Sequence, residues 1–226
     1  MKKIAILLFI TSSFAFAQKT YVPDDNFEQA LIDLNYDDVL NDSVLTANIS
    51  GVTSLDVNAK DISDLTGIEA FTALTYLNCY GNQLTSLDVS SNTALTGMDC
   101  GSNQLTSLDV SSNTSLTTLD CDNNSLTTLD VGSALTSLYC RQNSLTSLDV
   151  SANTALTNLA CPNNQLTSLD VSSNTVLTRL ECDNNSLTNL DVGSALTSLY
   201  CSQNQLTSLD VSSNIALINL ECRDNQ

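Results

Sequence analysis

Eight cysteines stand at positions 79, 100, 121, 140, 161, 182, 201 and 222, with spacings of 21, 21, 19, 21, 21, 19 and 21 residues. Three consecutive steps sum to 61, so a unit of three coils has itself been copied, as Tyr139-Cys140 and Tyr200-Cys201 show. One such unit is too small to bury its own apolar residues. Only stacking on neighbours can hide them, which restricts the chain to a repeat architecture. Each 21-residue unit reads in two near-equivalent halves, as in Leu156-Thr-Asn-Leu159-Ala-Cys161-Pro-Asn-Asn164-Gln-Leu166 followed by Thr-Ser-Leu169-Asp-Val171-Ser-Ser-Asn174. Apolar residues alternate at period two around each central leucine, which predicts a short strand in each half. The Ser, Thr and Asn residues between favour turns over helix. Stacking then places the Leu and Cys positions in continuous columns, with strands ~4.8 Å apart. The 19-residue units close through Val131-Gly132-Ser133-Ala134 and Val192-Gly193-Ser194-Ala195, where the freedom of glycine is expected to permit the shorter turn.

The pattern Leu-x-x-Leu-x-Cys-x-x-Asn-x-Leu resembles the signature segment of leucine-rich repeat proteins, with Cys in the third apolar slot. The nested 10- and 11-residue halves are similar to a secreted bacterial subclass of that family. Thr53 to Leu74 resembles a first, internalin-like coil of 22 residues, with Leu55, Val57, Ile62, Leu65, Ile68 and Phe71 facing inward. The resemblance implies a right-handed solenoid, β-rich with parallel sheets and few or no helices in the repeats, and a recognition role.

Three segments are expected. Residues 1–17 read as a signal peptide, with Lys2 and Lys3, an apolar stretch from Ile4, and the small-residue site Ala15-Phe16-Ala17. The apolar run is shorter than the ~20 residues that span a bilayer, so no membrane insertion is expected after cleavage. Residues 18–51 read as a short helical N-terminal cap. There Asp25 and Glu28 would form a capping box, and Phe27, Ala30, Leu31 and Leu34 would cover the first coil. Residues 52–226 make the solenoid of about eight to nine coils. The sequence stops at Arg223-Asp224-Asn225-Gln226, before the leucine that would open the next half-coil, so a C-terminal cap is expected to be missing.

Composition narrows the function. With 7 Lys+Arg, 25 Asp+Glu and no His, the formal charge is −18, and removal of the two leader lysines makes it 5 − 25 = −20. Such a charge favours a soluble monomer and repels nucleic acid. Without histidine there is no Ser-His-Asp or Cys-His site and no His-containing zinc site. No cofactor motif is present and no opposed carboxylate pair is evident. The chain therefore reads as a non-enzyme without a cofactor, secreted or at the cell surface.

Cys79, Cys100, Cys121, Cys140, Cys161, Cys182, Cys201 and Cys222 occupy the inward slot that Val89 and Val110 fill in the second half, and read as a column of buried free thiols. Side chains of a parallel pair point the same way, which makes a bridging S–S torsion hard to satisfy. No Cys-x-x-Cys pair suggests zinc. Asn82, Asn103, Asn124, Asn143, Asn164, Asn185 and Asn204, three residues after successive cysteines, are expected to pair with buried backbone groups in the turns. The family resemblance implies the same role.

Two exposed surfaces remain. One carries Asp88, Asp109, Asp130, Asp149, Asp170, Asp191 and Asp210 in an almost fixed Ser-x-Asp-x-Ser pattern. It reads as a solvated stripe, with calcium, ice or mineral adsorption as the alternative. On the other, the outward residues of the first strand change from coil to coil. Four of the six tyrosines and all three arginines sit there, and Tyr76, Tyr80, Asp99, Asp120, Tyr139, Arg141, Arg179, Glu181, Tyr200, Glu221 and Arg223 are the predicted contacts for a protein or surface glycan.

Overall fold

The computed structural model describes residues 17–226, so the expected leader lies outside the described residues except for Ala17. An antiparallel pair, β1 (Lys19–Tyr21) with β2 (Ser43–Leu45), brackets the helix α1 (Asp25–Asp33), and a short helix α2 (Thr46–Ile49) leads into the solenoid. Nine three-residue strands then follow at one per coil: β3 (Ser54–Asp56), β4 (Tyr76–Asn78), β5 (Gly97–Asp99), β6 (Thr118–Asp120), β7 (Ser137–Tyr139), β8 (Asn158–Ala160), β9 (Arg179–Glu181), β10 (Ser198–Tyr200) and β11 (Asn219–Glu221). They form one parallel sheet in sequence order, with no strand exchanged. The register aligns Leu55, Leu77, Met98, Leu119, Leu138, Leu159, Leu180, Leu199 and Leu220. Because side chains alternate across a strand, this central residue faces inward and its two neighbours face out. A leucine-rich repeat solenoid with a parallel sheet results, as expected from the repeat.

Two details differ from the sequence expectation. The Leu-Asp-Val halves form no strand among the described residues, only isolated parallel bridges between Asp88 and Asp109 and between Asp109 and Asp130. In most coils the aspartate folds back on its own backbone: the Ser90 N–H donates to Asp88 Oδ1 at 2.9 Å, and Ser111, Ser151, Ser172 and Ser212 do the same to their aspartates. This local turn competes with ladder formation. Coils are tied there by side chains instead, as when Asn113 Nδ2 donates to Val89 O and Asn92 O, both at 3.0 Å. The short turns also close without left-handed glycines. Among the described residues only Gly67 and Gly81 are glycines of positive φ, so Gly132 and Gly193 are not. The left-handed position falls instead on Ser102, Asn123, Gln142, Asn163, Asn184 and Gln203, each immediately before a structural asparagine. Short polar residues such as Asn tolerate that conformation better than most.

The N-terminal segment also needs correction. The residue that caps α1 is Asp24, whose Oδ1 accepts from the Asn26 and Phe27 N–H groups at 3.0 Å. Its Oδ2 accepts from Ser63 N, Ser63 Oγ and Asp64 N, tying the helix to the first coil. Glu28 does not complete a capping box; it is fully buried and accepts N–H bonds from Asn41, Asp42 and Ser43. One carboxylate thus organises the loop before β2. Phe27, Ala30 and Leu31 are buried, with the Phe27 ring 6.4 Å from that of Phe71, whereas Leu34 ends the helix and is exposed.

Stacking accounts for the burial. The central leucines of β8, β9 and β10 are 0–1 % exposed, but Leu220 of β11, with a coil on one side only, is 43 % exposed. A threonine column runs beside the sheet: Thr96, Thr117, Thr136, Thr157, Thr178 and Thr197 each donate Oγ1–H to the threonine carbonyl of the preceding coil. The period-two reading of the sequence did not single out these residues.

Candidate interaction face

The outward residues of the sheet form rows across the strands. One row runs Asp56, Asn78, Asp99, Asp120, Tyr139, Ala160, Glu181, Tyr200 and Glu221. Just beyond the strand ends lie Tyr80, Gly101, Asp122, Arg141, Pro162, Asp183, Ser202 and Arg223. The predicted contact residues all lie on this face, and they divide into groups.

The first group is cross-linked by charge. Arg141 Nη2 lies 3.3 Å from Glu181 Oε2, reaching across β8, where the register position is occupied by Ala160. Ala160 is only 3 % exposed, and a larger side chain there would obstruct this reach. Arg141 also lies 5.6 Å from the Tyr139 ring centroid, and its Nε is 3.8 Å from Asp122 Oδ2. Arg179 pairs with Glu181 at 2.6 Å and sits 5.0 Å from the Tyr200 ring centroid. Tyr139, Arg141, Arg179, Glu181 and Tyr200 thus form one network in which cation–π contacts and ion pairs hold side chains in place. Glu221 and Arg223 pair with each other at 3.0 Å on the last coil.

The second group is acidic and aromatic. Asp99 and Asp120 are register partners on neighbouring strands, and Asp122 lies two residues further on. Burial raises the carboxyl pKa of all three, opposed in part by backbone N–H bonds, and Asp122 is pushed up to about 6 by burial and then by repulsion from Asp120. Asp183 is raised in the same way, first by burial. Tyr76 and Tyr80 lie over glycines: a Cβ added at Gly97 would come within 3.0 Å of the Tyr76 ring, and one at Gly101 within 3.2 Å of the Tyr80 ring. Asp122, Gly97 and Gly101 were not singled out from the sequence. The Asp120-Cys121-Asp122 pattern was the available signal, since alternation puts both acids outward.

The structural columns lie behind this face. All eight cysteines are free and all but Cys222 are buried; burial pushes the Cys79 and Cys161 thiols up to about 12, which leaves them uncharged. Asn103 Oδ1 accepts from the Leu84 N–H at 3.0 Å, and its Nδ2 donates to Cys79 O, Cys100 O and Gly101 O. The same bonding recurs at Asn124, Asn143, Asn164, Asn185 and Asn204. Asn82 plays the same part toward Lys60 and Ile62 in the first coil.

On the opposite side, Asp88 and Asp109 line a shallow cleft of about 410 Å³ with Ser86, Ser90 and Ser107. Hydrogen bonds from the serine two residues on hold the Asp88, Asp109, Asp149, Asp170 and Asp210 carboxyls below the usual range rather than above it. Asp25, Glu28 and Asp42 bring carboxylate oxygens within 4.8 Å of one another near α1. Both Glu28 oxygens there already accept backbone N–H groups.

No family model matches the chain. Over 72 residues, 32 % of its length, it is 44 % identical to internalin J of Listeria monocytogenes, of which that stretch covers 8 %. The solved functional domain of internalin J, described as including a cysteine ladder, superposes with a TM-score of 0.74 at 39 % identity over 94 % of this chain. The chain spans about half of that domain, 54 %. A leucine-rich repeat protein of Leptospira interrogans matches 71 % of this chain and 45 % of its own, with 28 % identity and a TM-score of 0.66. An internalin C2 structure from Listeria monocytogenes, at 23 % identity and a TM-score of 0.66, shares the fold. The repeat, the single parallel sheet and these likenesses agree: the chain is a bacterial leucine-rich repeat solenoid similar to internalin J.

Proposed function

We propose that the chain is a secreted or cell-surface binding module that recognises a protein partner through the β3–β11 face and performs no catalysis itself. In this reading residues 18–51 are the N-terminal cap and residues 52–226 the recognition solenoid. One observation carries it. The sheet face concentrates the tyrosines and arginines in a network of ion pairs and stacked rings, while the opposite side repeats a nearly uniform Ser and Asp pattern. Tyr and Arg dominate interface energetics, and side chains already held in place lose less entropy on docking. The likeness to the functional domain of internalin J supports a recognition role. The leader-like residues 1–17 support an extracytoplasmic location, and no described helix is long and apolar enough to cross a membrane.

Photo-cross-linking tests this reading. Benzoylphenylalanine replaces Tyr139 or Tyr200 on the sheet face, or Ser90 or Ser151 on the opposite side, in protein incubated with surface proteins from its natural setting. Cross-links to a discrete partner are expected from the sheet positions alone, and the combined Tyr139→Ala and Tyr200→Ala change should weaken capture of that partner by at least about tenfold with the melting temperature unchanged. Cross-links distributed equally over both sides would sink the assignment.

A further inference from the structure

The β4–β6 part of the face differs from the rest in charge. Between Lys60 and Arg141 the sequence contains no lysine or arginine but nine acids, namely Asp61, Asp64, Glu69, Asp88, Asp99, Asp109, Asp120, Asp122 and Asp130. Of these, Asp99, Asp120 and Asp122 face outward together beside the sheet. Arg141, the nearest cation, sits closer to Glu181, at 3.3 Å, than to Asp122, at 3.8 Å.

Each of the three carboxylates is half-engaged. Asp99 Oδ1 accepts from the Gly101 N–H at 3.0 Å, Asp120 Oδ1 from Asp122 N at 3.0 Å, and Asp122 Oδ1 from Arg141 N at 2.6 Å. Backbone bonds therefore fix the orientation of every carboxylate while leaving its second oxygen to other partners. The strand spacing of ~4.8 Å keeps Asp99 and Asp120 side by side rather than converging, which suits a row of separate cationic side chains better than the close oxygen shell a metal ion requires. Tyr76 and Tyr80 flank Asp99, their rings lying over Gly97 and Gly101 and about half exposed, at 43 % and 45 %. Aromatic faces beside carboxylates hold the methylene stem and the charged head of a Lys or Arg side chain together.

We propose that the β4–β6 surface docks a basic protein segment, with its Lys or Arg side chains seated on Asp99, Asp120 and Asp122 and against Tyr76 and Tyr80. The proposal rests on the recognition role of this face and adds the chemistry of the partner. Desolvated carboxylates without counter-ions gain from a cationic partner, and charge complementarity of this kind sets both encounter rate and specificity.

Fluorescence anisotropy with a labelled octa-lysine peptide at low ionic strength tests it on the purified protein. Asp99→Asn, Asp120→Asn and Asp122→Asn combined should weaken binding at least about tenfold, because buried-face contacts are lost. Asp149→Asn, Asp170→Asn and Asp210→Asn combined make the same change in net charge on the opposite side and should alter affinity less than about twofold. Tyr76→Ala with Tyr80→Ala, which leaves the charge intact, should weaken binding by roughly threefold or more. Asparagine keeps the Oδ1 acceptor, so the fold should persist, and thermal melts verify it. Equal losses from the two triple variants, or no saturable binding, would overturn the proposal. Cross-links that persist at Tyr139 and Tyr200 in that event would leave the recognition role standing and remove only the basic partner, whereas loss of both would remove the wider reading.

Discussion

At the scale of single residues, the asparagines three positions after the cysteines satisfy the most backbone per side chain. Asn103 is 9 % exposed and joins the turns of two coils through one acceptor and three donor contacts. Removing its amide strands the Leu84 N–H and several carbonyls without water. Asn103→Ala should therefore cost about 2–4 kcal/mol, the sum of one or two buried groups left unpaired, as read from urea unfolding. The exposed Asp109 offers a control, since Asp109→Asn keeps its turn bond to Ser111 and should change stability by less than about 0.5 kcal/mol. The cysteines make no comparable contacts. Cys100 and Cys121 place Sγ 3.4 Å from a carbonyl of the following coil, and the column otherwise behaves as small apolar volume.

At the scale of elements, each strand contributes only three residues, so what one strand presents is set by its neighbours in register. The acidic row shows the consequence. Asp99, Asp120 and Asp122 have folded-state pKa values raised by burial, Asp122 to about 6 from an ordinary 3.8. A carboxyl raised on folding contributes stability below its unfolded pKa and loses it as pH climbs through the folded value. The melting temperature should thus rise as pH falls from 7.5 toward about 4.5, and Asp122→Asn should raise it at pH 7.5 but not near pH 4. Below about 3.8 the trend should reverse, because the lowered carboxyls of Asp88, Asp149 and their equivalents then lose their bonded ionised form. A melting temperature independent of pH between 4.5 and 7.5 would contradict this assignment.

At the scale of the whole molecule, stability is a sum of coil-to-coil interfaces, and the contrast between buried Leu199 and half-exposed Leu220 measures one such interface. Since Cys100 and Cys161 are 161 − 100 = 61 residues apart and equivalent in register, deleting residues 101–161 joins Cys100 to Pro162 and preserves every column. That shortened chain should fold cooperatively, with a urea m-value lower by about a quarter to a third, in proportion to the surface it no longer buries. Deleting 60 residues instead would turn each later side chain to the other face and should give an unfolded or aggregated product, detectable by circular dichroism.

The sequence alone determined the solenoid, its one-strand-per-coil sheet and the inward columns, because period and alternation are local properties that stacking merely repeats. It also located the variable face, since outward positions follow from alternation once the inward ones are known. Tertiary structure decided the rest. Whether the Leu-Asp-Val half formed a strand depended on an aspartate choosing its own backbone over the neighbouring coil, and period two cannot register that competition. Which of Asp24 and Asp25 capped α1, and that Glu28 was drawn inward to the loop before β2, depended on where that loop came to lie. The grouping of contact residues was equally non-local. Arg141 meets Glu181 only because two coils stack across Ala160, and Asp122 is raised only because burial and Asp120 converge on it, relations between residues far apart in the chain or set by how deeply the coils enclose them.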